Sequence, residues 1–406
     1  MEQSLKPPHK GIPILYVILF FVCLASMNLI NRYFYCLFIA LGFFCLRKGS
    51  KVYFDPLSFF ALLVLALSMI LFSPNTVVSP TGLLKPFTYV FCFIMGMGLF
   101  EGGTFDERGE SGYRGFYLLV TVIALGLLIH YALNWYINFD SYESRNTIDV
   151  WTGEVLAATG QAAIACIPLA LAIACISSEC RRLFKVFAWI TIGIVLGYNL
   201  ILSGRTLLLM TLLLALLAFF HRFLVVKQGR ARTVLIVLIG IAVGLLIYEF
   251  NVFGVRSFIE DSPLYDRFFA TDSTMEFNDD QRLDRKWYYL QNLYRYPFGG
   301  THLRDIVGYS HDLYFDTFDE AGVFAFLAVI VYVLRSVGTL INCLKDKTLP
   351  FALRQIGFCV YVGIYIVFFL EPILQGMPWL FASFCMLEGY LHRLIHHNAT
   401  KKQLLR

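Results

Sequence analysis

The sequence predicts an all-α integral membrane protein, on three observations. Hydrophobic residues make up 58% of the 406-residue chain and charged residues only 15%, a balance with too little polar surface to keep a soluble domain dispersed. Apolar runs long enough to cross a bilayer, about 20 helical residues each, recur along the whole length. Lysine and arginine also concentrate in alternate connections between those runs, the charge asymmetry of a multi-pass protein.

Taken in order, the first apolar run covers 11–30. It is too long for a cleavable leader and lacks a small-residue cleavage site, so it reads as the first span. Runs at 33–46, 56–73, 83–100, 114–133, 157–177, 186–202, 206–224, 233–250, 321–343, 356–372 and 377–393 complete about twelve transmembrane helices. The run at 33–46 is short, and 157–177 opens in a softer Ala/Gly-rich stretch. Connections are brief except for 251–320, which is polar but too short and too poor in strand patterning for an independent enzyme domain. The chain therefore reads as one polytopic domain, 1–406, without internal repeats or low-complexity tracts. The ten cysteines include no CxxC pair and mostly lie within apolar runs, as small buried side chains rather than a redox or metal site.

With the N-terminus cytoplasmic, the inside segments hold most of the 33 basic residues: Lys6 and Lys10, Arg47 to Lys51, Arg108 and Arg114, Arg181 to Lys185, Arg222 to Arg232, Arg335 to Arg354, and the tail from Arg393. The short outside loops hold Arg32, Lys85, Arg145 and Arg205. Both termini then face the cytoplasm, and 251–320 is a large extracytoplasmic loop between the ninth and tenth helices. Within it, Leu283, Trp287, Leu290 and Tyr294 recur at i, i+4, i+7 and i+11, an amphipathic helix over 281–296. Pro297 and the Gly299–Gly300 pair stop it. Trp287, Tyr288, Tyr289 and Tyr294 suit the headgroup zone of a membrane surface.

All plausible chemistry collects on this outer side. Arg205, in "SGRTLLLM", sits at a tight turn between two spans, either as a snorkelling anchor or as an anion clamp at a helix N-terminus. The loop carries Arg256, Arg267, Arg282, Arg285, Lys286, Arg295 and Arg304, with more than enough carboxylates to pair them internally. Arg282 and Lys286 at i, i+4, with Arg285, can instead form a positive rim suited to a phosphate at headgroup depth. His311 is either an ordinary surface histidine or a group that takes a proton from a hydroxyl, its ring oriented by Asp312 or Asp316. Asp319 and Glu320 read as capping residues for the helix expected to begin at 321. No second His or Cys stands at ligand spacing from His311, so no metal site is expected.

Three segments carry a family resemblance. "SGRTLLLM" is similar to the Ser-Arg turn of the O-antigen ligase/polymerase family, "QRLDRKWYYLQNLYRYPFGG" to its Arg–amphipathic helix–Pro–Gly segment, and "SHDLYFDTFDEAGVFA" to its His-Asn/Ser segment followed by Gly-x-x-Gly. Asp312 stands where the family commonly has Asn, Ser or Gln, and Ala325 replaces the second small residue. The resemblance covers 200–330; the first half matches only in hydropathy. It implies a metal-independent, inverting glycosyltransferase of the C-type helical scaffold in the bacterial cytoplasmic (inner) membrane, working on the extracytoplasmic face without cofactors. The donor would be an undecaprenyl-diphosphate-linked glycan, and the acceptor a sugar hydroxyl of another glycan or of lipid A-core. A chain-length regulator is a possible partner, and nucleic acid is not. Arg205, Arg282 and His311 would be catalytic, with Arg285, Lys286, Asp312 and Arg304 binding substrate. Asp312 and Ala325 lean toward a repeat-unit polymerase for O-antigen, capsule or exopolysaccharide rather than a ligase of lipopolysaccharide biosynthesis. The reading of a different class is a flippase or transporter for the same lipid-linked glycans, which would place its charges inside the bundle.

Overall fold

The computed structural model describes residues 14–29, 37–42, 55–74, 80–102, 110–139, 146–202, 204–226, 242–262, 264–265 and 281–404. Most of the span expected at 33–46 and the first half of that at 233–250 fall outside these residues. So do Lys6, Lys10, Arg32, Arg47, Lys48, Lys51, Arg108, Arg145, Lys227, Arg230, Arg232 and Arg267.

The described residues form an all-α membrane protein with one small sheet. The helices are α1 (Ile14–Ser26), α2 (Pro56–Phe72), α3 (Pro80–Gly102), α4 (Glu110–Ile137), α5 (Ala158–Ser177), α6 (Arg182–Leu202) and α7 (Arg205–Val225). They continue with α8 (Gln281–Asn292), α9 (His302–Val307), α10 (Leu313–Lys345), α11 (Phe351–Phe368), α12 (Ile373–Gly376) and α13 (Pro378–Leu404). Seven are long and apolar enough to cross a membrane, or eight spans if Ala242–Glu249 and Val252–Glu260, bent by 93°, count as one. α5 lies at the centre, packed against α4, α6, α7 and α11, and 83% of it is buried within the protein. That burial explains its Ala/Gly-rich composition: small side chains let neighbouring backbones approach.

Among the described residues, α3 packs most extensively against α13. A Cβ on Gly96 would run into the Met386 carbonyl, and one on Gly389 into the Phe93 carbonyl. Two glycines thus set the separation of these backbones reciprocally. Far from the 281–312 segment, a buried polar network joins α2, α10, α11 and α13. Asp55 accepts from Arg335 at 3.3 Å, and Glu388 accepts from Thr339 at 2.6 Å and from Tyr361 at 3.0 Å. These groups are paired in place, as buried charge requires.

α10 begins at Leu313, eight residues before the expected 321, because Asp312 caps it. The Asp312 carboxylate accepts from the Tyr314 and Phe315 amides at 2.9 and 2.8 Å. Asp319 and Glu320 are therefore not the capping residues of this helix. Asp319 accepts from the Leu303 and Arg304 amides at 2.8 and 3.3 Å and so serves the start of α9. Glu320 accepts from the Ser73 hydroxyl at 2.7 Å. α10 breaks at Gly322, whose φ of 80° and ψ of −173° only glycine adopts freely. The break seats Gly322 against the chain reversal after α8: an added Cβ would lie 2.7 Å from the Pro297 carbonyl oxygen, which accepts from the Val323 amide at 2.9 Å.

The sheet was not legible in the sequence. Strands β1 (Asn146–Ile148) and β2 (Val155–Ala157) pair antiparallel and lead directly into α5. Asn138, at the end of α4, holds β1 by exchanging two hydrogen bonds of 2.8 Å with Ile148. Asn134 accepts from the Val150 amide at 2.9 Å.

Candidate functional site

α8 forms where expected, over 281–292 with a 3-10 turn to 295, and its two faces determine the site. Leu283, Trp287, Leu290 and Tyr294 point away from the protein, 67%, 61%, 49% and 74% exposed. Arg282, Arg285, Lys286 and Tyr289, at i, i+3, i+4 and i+7, point inward. Tyr289 is fully buried and donates to the Gly308 carbonyl at 3.1 Å, so it is not a headgroup residue as the sequence suggested. An exposed apolar stripe opposite a half-buried basic one is the reverse of a soluble amphipathic helix and fits one lying on a membrane surface.

The inward cations meet the segment after α11 and the turn before α10. Arg282 donates to the Leu370 carbonyl at 3.4 Å and stands 4.0 Å from Glu371. Lys286 donates to the Phe369 carbonyl at 2.8 Å and lies 3.4 Å from Asp312. Arg285 stands 3.5 Å from Nε2 of His311. Arg304 donates to the Tyr309 hydroxyl at 3.2 Å and lies over that ring, which in turn neighbours His311. The structure thus brings Arg282, Arg285, Lys286, Asp312 and His311 directly together, with Arg304 one ring away.

His311 has a left-handed backbone, φ 59°, a conformation that costs an L-residue about 1–2 kcal/mol. Asp316 holds it there: its two carboxylate oxygens accept from the Ser310 amide at 2.8 Å and the Asp312 amide at 3.0 Å, bracketing residue 311. Neither Asp312 nor Asp316 reaches the imidazole, contrary to the sequence expectation, because both carboxylates are spent on backbone amides. A guanidinium only donates, so the Nε2 facing Arg285 is the unprotonated nitrogen and Nδ1 carries the hydrogen. Burial, then the charges of Arg282, Arg285 and Lys286, push His311 down to about 4. It is a neutral ring at neutral pH, offering a hydrogen bond from Nδ1 rather than strong basicity. Burial lifts Glu371 to about 7 against the opposing charge of Arg282.

Arg205 opens α7. That helix runs antiparallel to α11: Gln355 donates to the Ala218 carbonyl at 3.0 Å, and Leu214 lies beside Gly363. Continuing both helices brings Arg205 to the level of 368–371, so it shares an end of the bundle with the α8 rim. An apolar groove of about 420 Å³ runs from that rim along α10, lined by Phe315, Phe326, Ile330, Val333 and Leu334, with Lys286, Asp312 and Phe369 at its head. Among the described residues, no three His, Cys, Asp or Glu side chains group closely enough to hold a metal ion.

Sequence reasoning gave no role to a second polar group at this end. His130 Nε2 lies 2.6 Å from Asp149 in the turn between the strands, in a polar cavity that Lys85 and Gln375 also line. The signal was present: His130, Asn134 and Asn138 recur every four residues, one polar stripe on an otherwise apolar span.

Compared with family models and with curated proteins, the chain matches none.

Proposed function

We propose that the chain is a glycosyltransferase that moves an undecaprenyl-diphosphate-linked glycan to an acceptor sugar hydroxyl on the extracytoplasmic face of the bacterial cytoplasmic membrane. The observation carrying this reading is the amphiphilic junction at Lys286. Of three cations turned inward from a surface helix, Lys286 stands at the head of an apolar groove, with Arg282 and Arg285 beside it on the same helix face. That pairing suits a diphosphate on a long hydrocarbon tail: the tail lies along α10, and Arg282, Arg285 and Lys286 disperse the negative charge that grows on the leaving diphosphate. Arg205, at the same level, adds a fourth cation. The proposal includes twelve spans and cytoplasmic termini, which put the rim outside. No nucleotide and no metal is required.

In this scheme His311 positions rather than deprotonates, and the acceptor hydroxyl's proton passes to the departing diphosphate as its bond to the sugar breaks. The His311 ring is neutral, its Nε2 faces Arg285, and its Nδ1–H is the group offered to a substrate oxygen. Arg304, stacked on Tyr309, holds the outer wall beside it. The rim charges converge on one site at an end of the bundle, and Asp55, Arg335 and Glu388 within the bundle are tied to one another and to Thr339 and Tyr361, which favours group transfer over flipping.

We assign the acceptor to a growing glycan, as in a repeat-unit polymerase. Ligation to lipid A-core is the second reading, and one observation returns weight to it. Asp312 is a helix cap, a task Asn and Ser perform equally well, so its identity does not separate the two. The test is glycan length in cells carrying Arg205→Ala, Arg282→Ala or His311→Ala at normal protein level. Loss of long surface chains is expected for each, and unchanged chains in all three would sink the reading. Single repeat units left on the acceptor identify a polymerase, and long chains stranded on the carrier lipid a ligase.

A further inference from the structure

We propose that the cavity between α3, α4, α5, the β1–β2 hairpin and α12 is a saccharide-binding site, built to take a hydroxyl-rich sugar ring of the acceptor glycan. The assignment to the acceptor rests on the transfer reaction proposed above; the saccharide chemistry rests on the cavity alone. Its volume is about 410 Å³, within the range of small-ligand sites.

The lining alternates what a pyranose presents. Lys85 and His130 stand beside Asp149, Glu154 and Gln375, and Trp379 adds an aromatic face. Mixed donors and acceptors match sugar hydroxyls, each of which both gives and receives a hydrogen bond. The ring's C–H faces match an aromatic surface.

His130 is the observation that calls for a ligand. It is 1% exposed, yet its Nδ1 has no hydrogen-bond partner among the described residues. Its other nitrogen is committed to Asp149 at 2.6 Å. Burial raises the Asp149 carboxyl, but the His130 hydrogen bond and charge and the Thr152 and Trp151 amides outweigh it and hold the group at about 2. Nε2 donates to that carboxylate, which leaves Nδ1 as a buried polar atom in the cavity wall for a sugar hydroxyl to pair with, as in histidine–aspartate pairs. Gln375 is the second such group: its Oε1 is buried without a partner.

The cavity wall is tied together by hydrogen bonds and reaches the donor site. Gln161 donates to Thr147 at 2.9 Å, tying the hairpin to α5. Gln375 Nε2 donates to the Asp316 carbonyl at 3.1 Å, and Asp316 brackets His311. Lys85 is within electrostatic reach of Glu320 on α10. A sugar held here would lie one residue layer from the cationic rim, on the side away from the lipid groove.

The test uses the full chain in detergent. The probe is the oligosaccharide repeat unit freed by mild acid from the source cells' own surface polysaccharide, carrying no lipid or phosphate, with binding followed by calorimetry. Two variants probe the cavity: His130→Gln, and Val155→Trp, which fills the mouth from a residue 70% exposed without touching the buried polar groups. Each is expected to bind about tenfold or more weakly, the scale of one oriented hydrogen bond lost from a buried site, with an unchanged thermal melt. Arg282→Ala is expected to bind this probe as the parent protein does. The monosaccharide mixture from complete hydrolysis, run in parallel, should bind at least about tenfold more weakly; equal binding by it overturns the acceptor assignment. Failure of the parent protein to bind, or binding retained within about twofold in both cavity variants, overturns the site. Loss of binding in the cavity variants together with normal glycan transfer in Arg282→Ala would leave the saccharide site standing and remove the transfer mechanism.

Discussion

Replacing Asp312 tests whether the turn that presents His311 is held by a helix cap. The carboxylate is 2% exposed. It accepts from the Tyr314 and Phe315 amides at 2.9 and 2.8 Å and faces Lys286 at 3.4 Å. Asp312→Ala removes all three interactions. A lost cap costs about 1–2 kcal/mol, and hydrogen bonds to a buried charged acceptor about 1.5–3 kcal/mol. These overlap rather than add, since the cap consists of the same two bonds. Lys286 keeps its bond to the Phe369 carbonyl, so no stranded charge adds to the loss. The expected destabilisation is about 2–3 kcal/mol. Asp312→Asn retains an oxygen for both amides and loses only the attraction to a partly exposed lysine, about 1 kcal/mol or less. The assay is reversible unfolding in mixed detergent micelles with helicity followed by circular dichroism. Asp312→Ala within about 0.5 kcal/mol of the parent, the spread of an ordinary surface change, would refute the capping argument. An Asn variant as damaged as the Ala variant would show that charge, not capping, holds the turn.

Three further outcomes are expected. His311 has a folded value of about 4 against an ordinary 6.5, so it binds fewer protons folded than unfolded, and its contribution is complete above 6.5 and lost as pH falls toward 4. A carbon-13-labelled histidine titration should show this resonance moving upward in Arg285→Gln; a parent value near 6.5, unmoved by that change, would contradict the cationic rim. Glu371 has the opposite sign: its folded value of about 7 lies above an ordinary 4.5, so its contribution is complete below 4.5 and lost as pH rises toward 7. The two slopes oppose one another over 4.5–6.5, so unfolding measured against pH should acquire a rising slope in Glu371→Gln and a falling one in His311→Gln; identical profiles would discount both shifts. Gly322→Ala should cost more than about 2 kcal/mol, because alanine at a φ of 80° is strained and its Cβ would lie 2.7 Å from the Pro297 oxygen. A melt unchanged from the parent would show that the α10 break can relax.

Much of the fold was written in composition and periodicity. Hydrophobic content and run length alone identify an all-α membrane protein, since an apolar chain in lipid must satisfy its backbone within helices. The 3.6-residue repeat of Leu283, Trp287, Leu290 and Tyr294 identified α8, because that stripe repeats locally whatever it faces. The same stripe could not reveal that the complementary face turns inward, with Arg282 and Lys286 donating to the Leu370 and Phe369 carbonyls. Those partners lie more than 80 positions away in sequence, and no local pattern encodes them. The tertiary structure likewise decided what each carboxylate of 310–320 does. Asp312, Asp316, Asp319 and Glu320 look alike in sequence, yet they serve a cap, a strained backbone, a second helix start and the serine that ends α2. It also converted His130 from one polar residue in a span into half of a buried pair, because Asp149 reaches it only through the strand turn. Residue type sets what a side chain can bond to. Which bond forms depends on the backbone groups that distant packing leaves without a partner, and those exist only once the chain is folded.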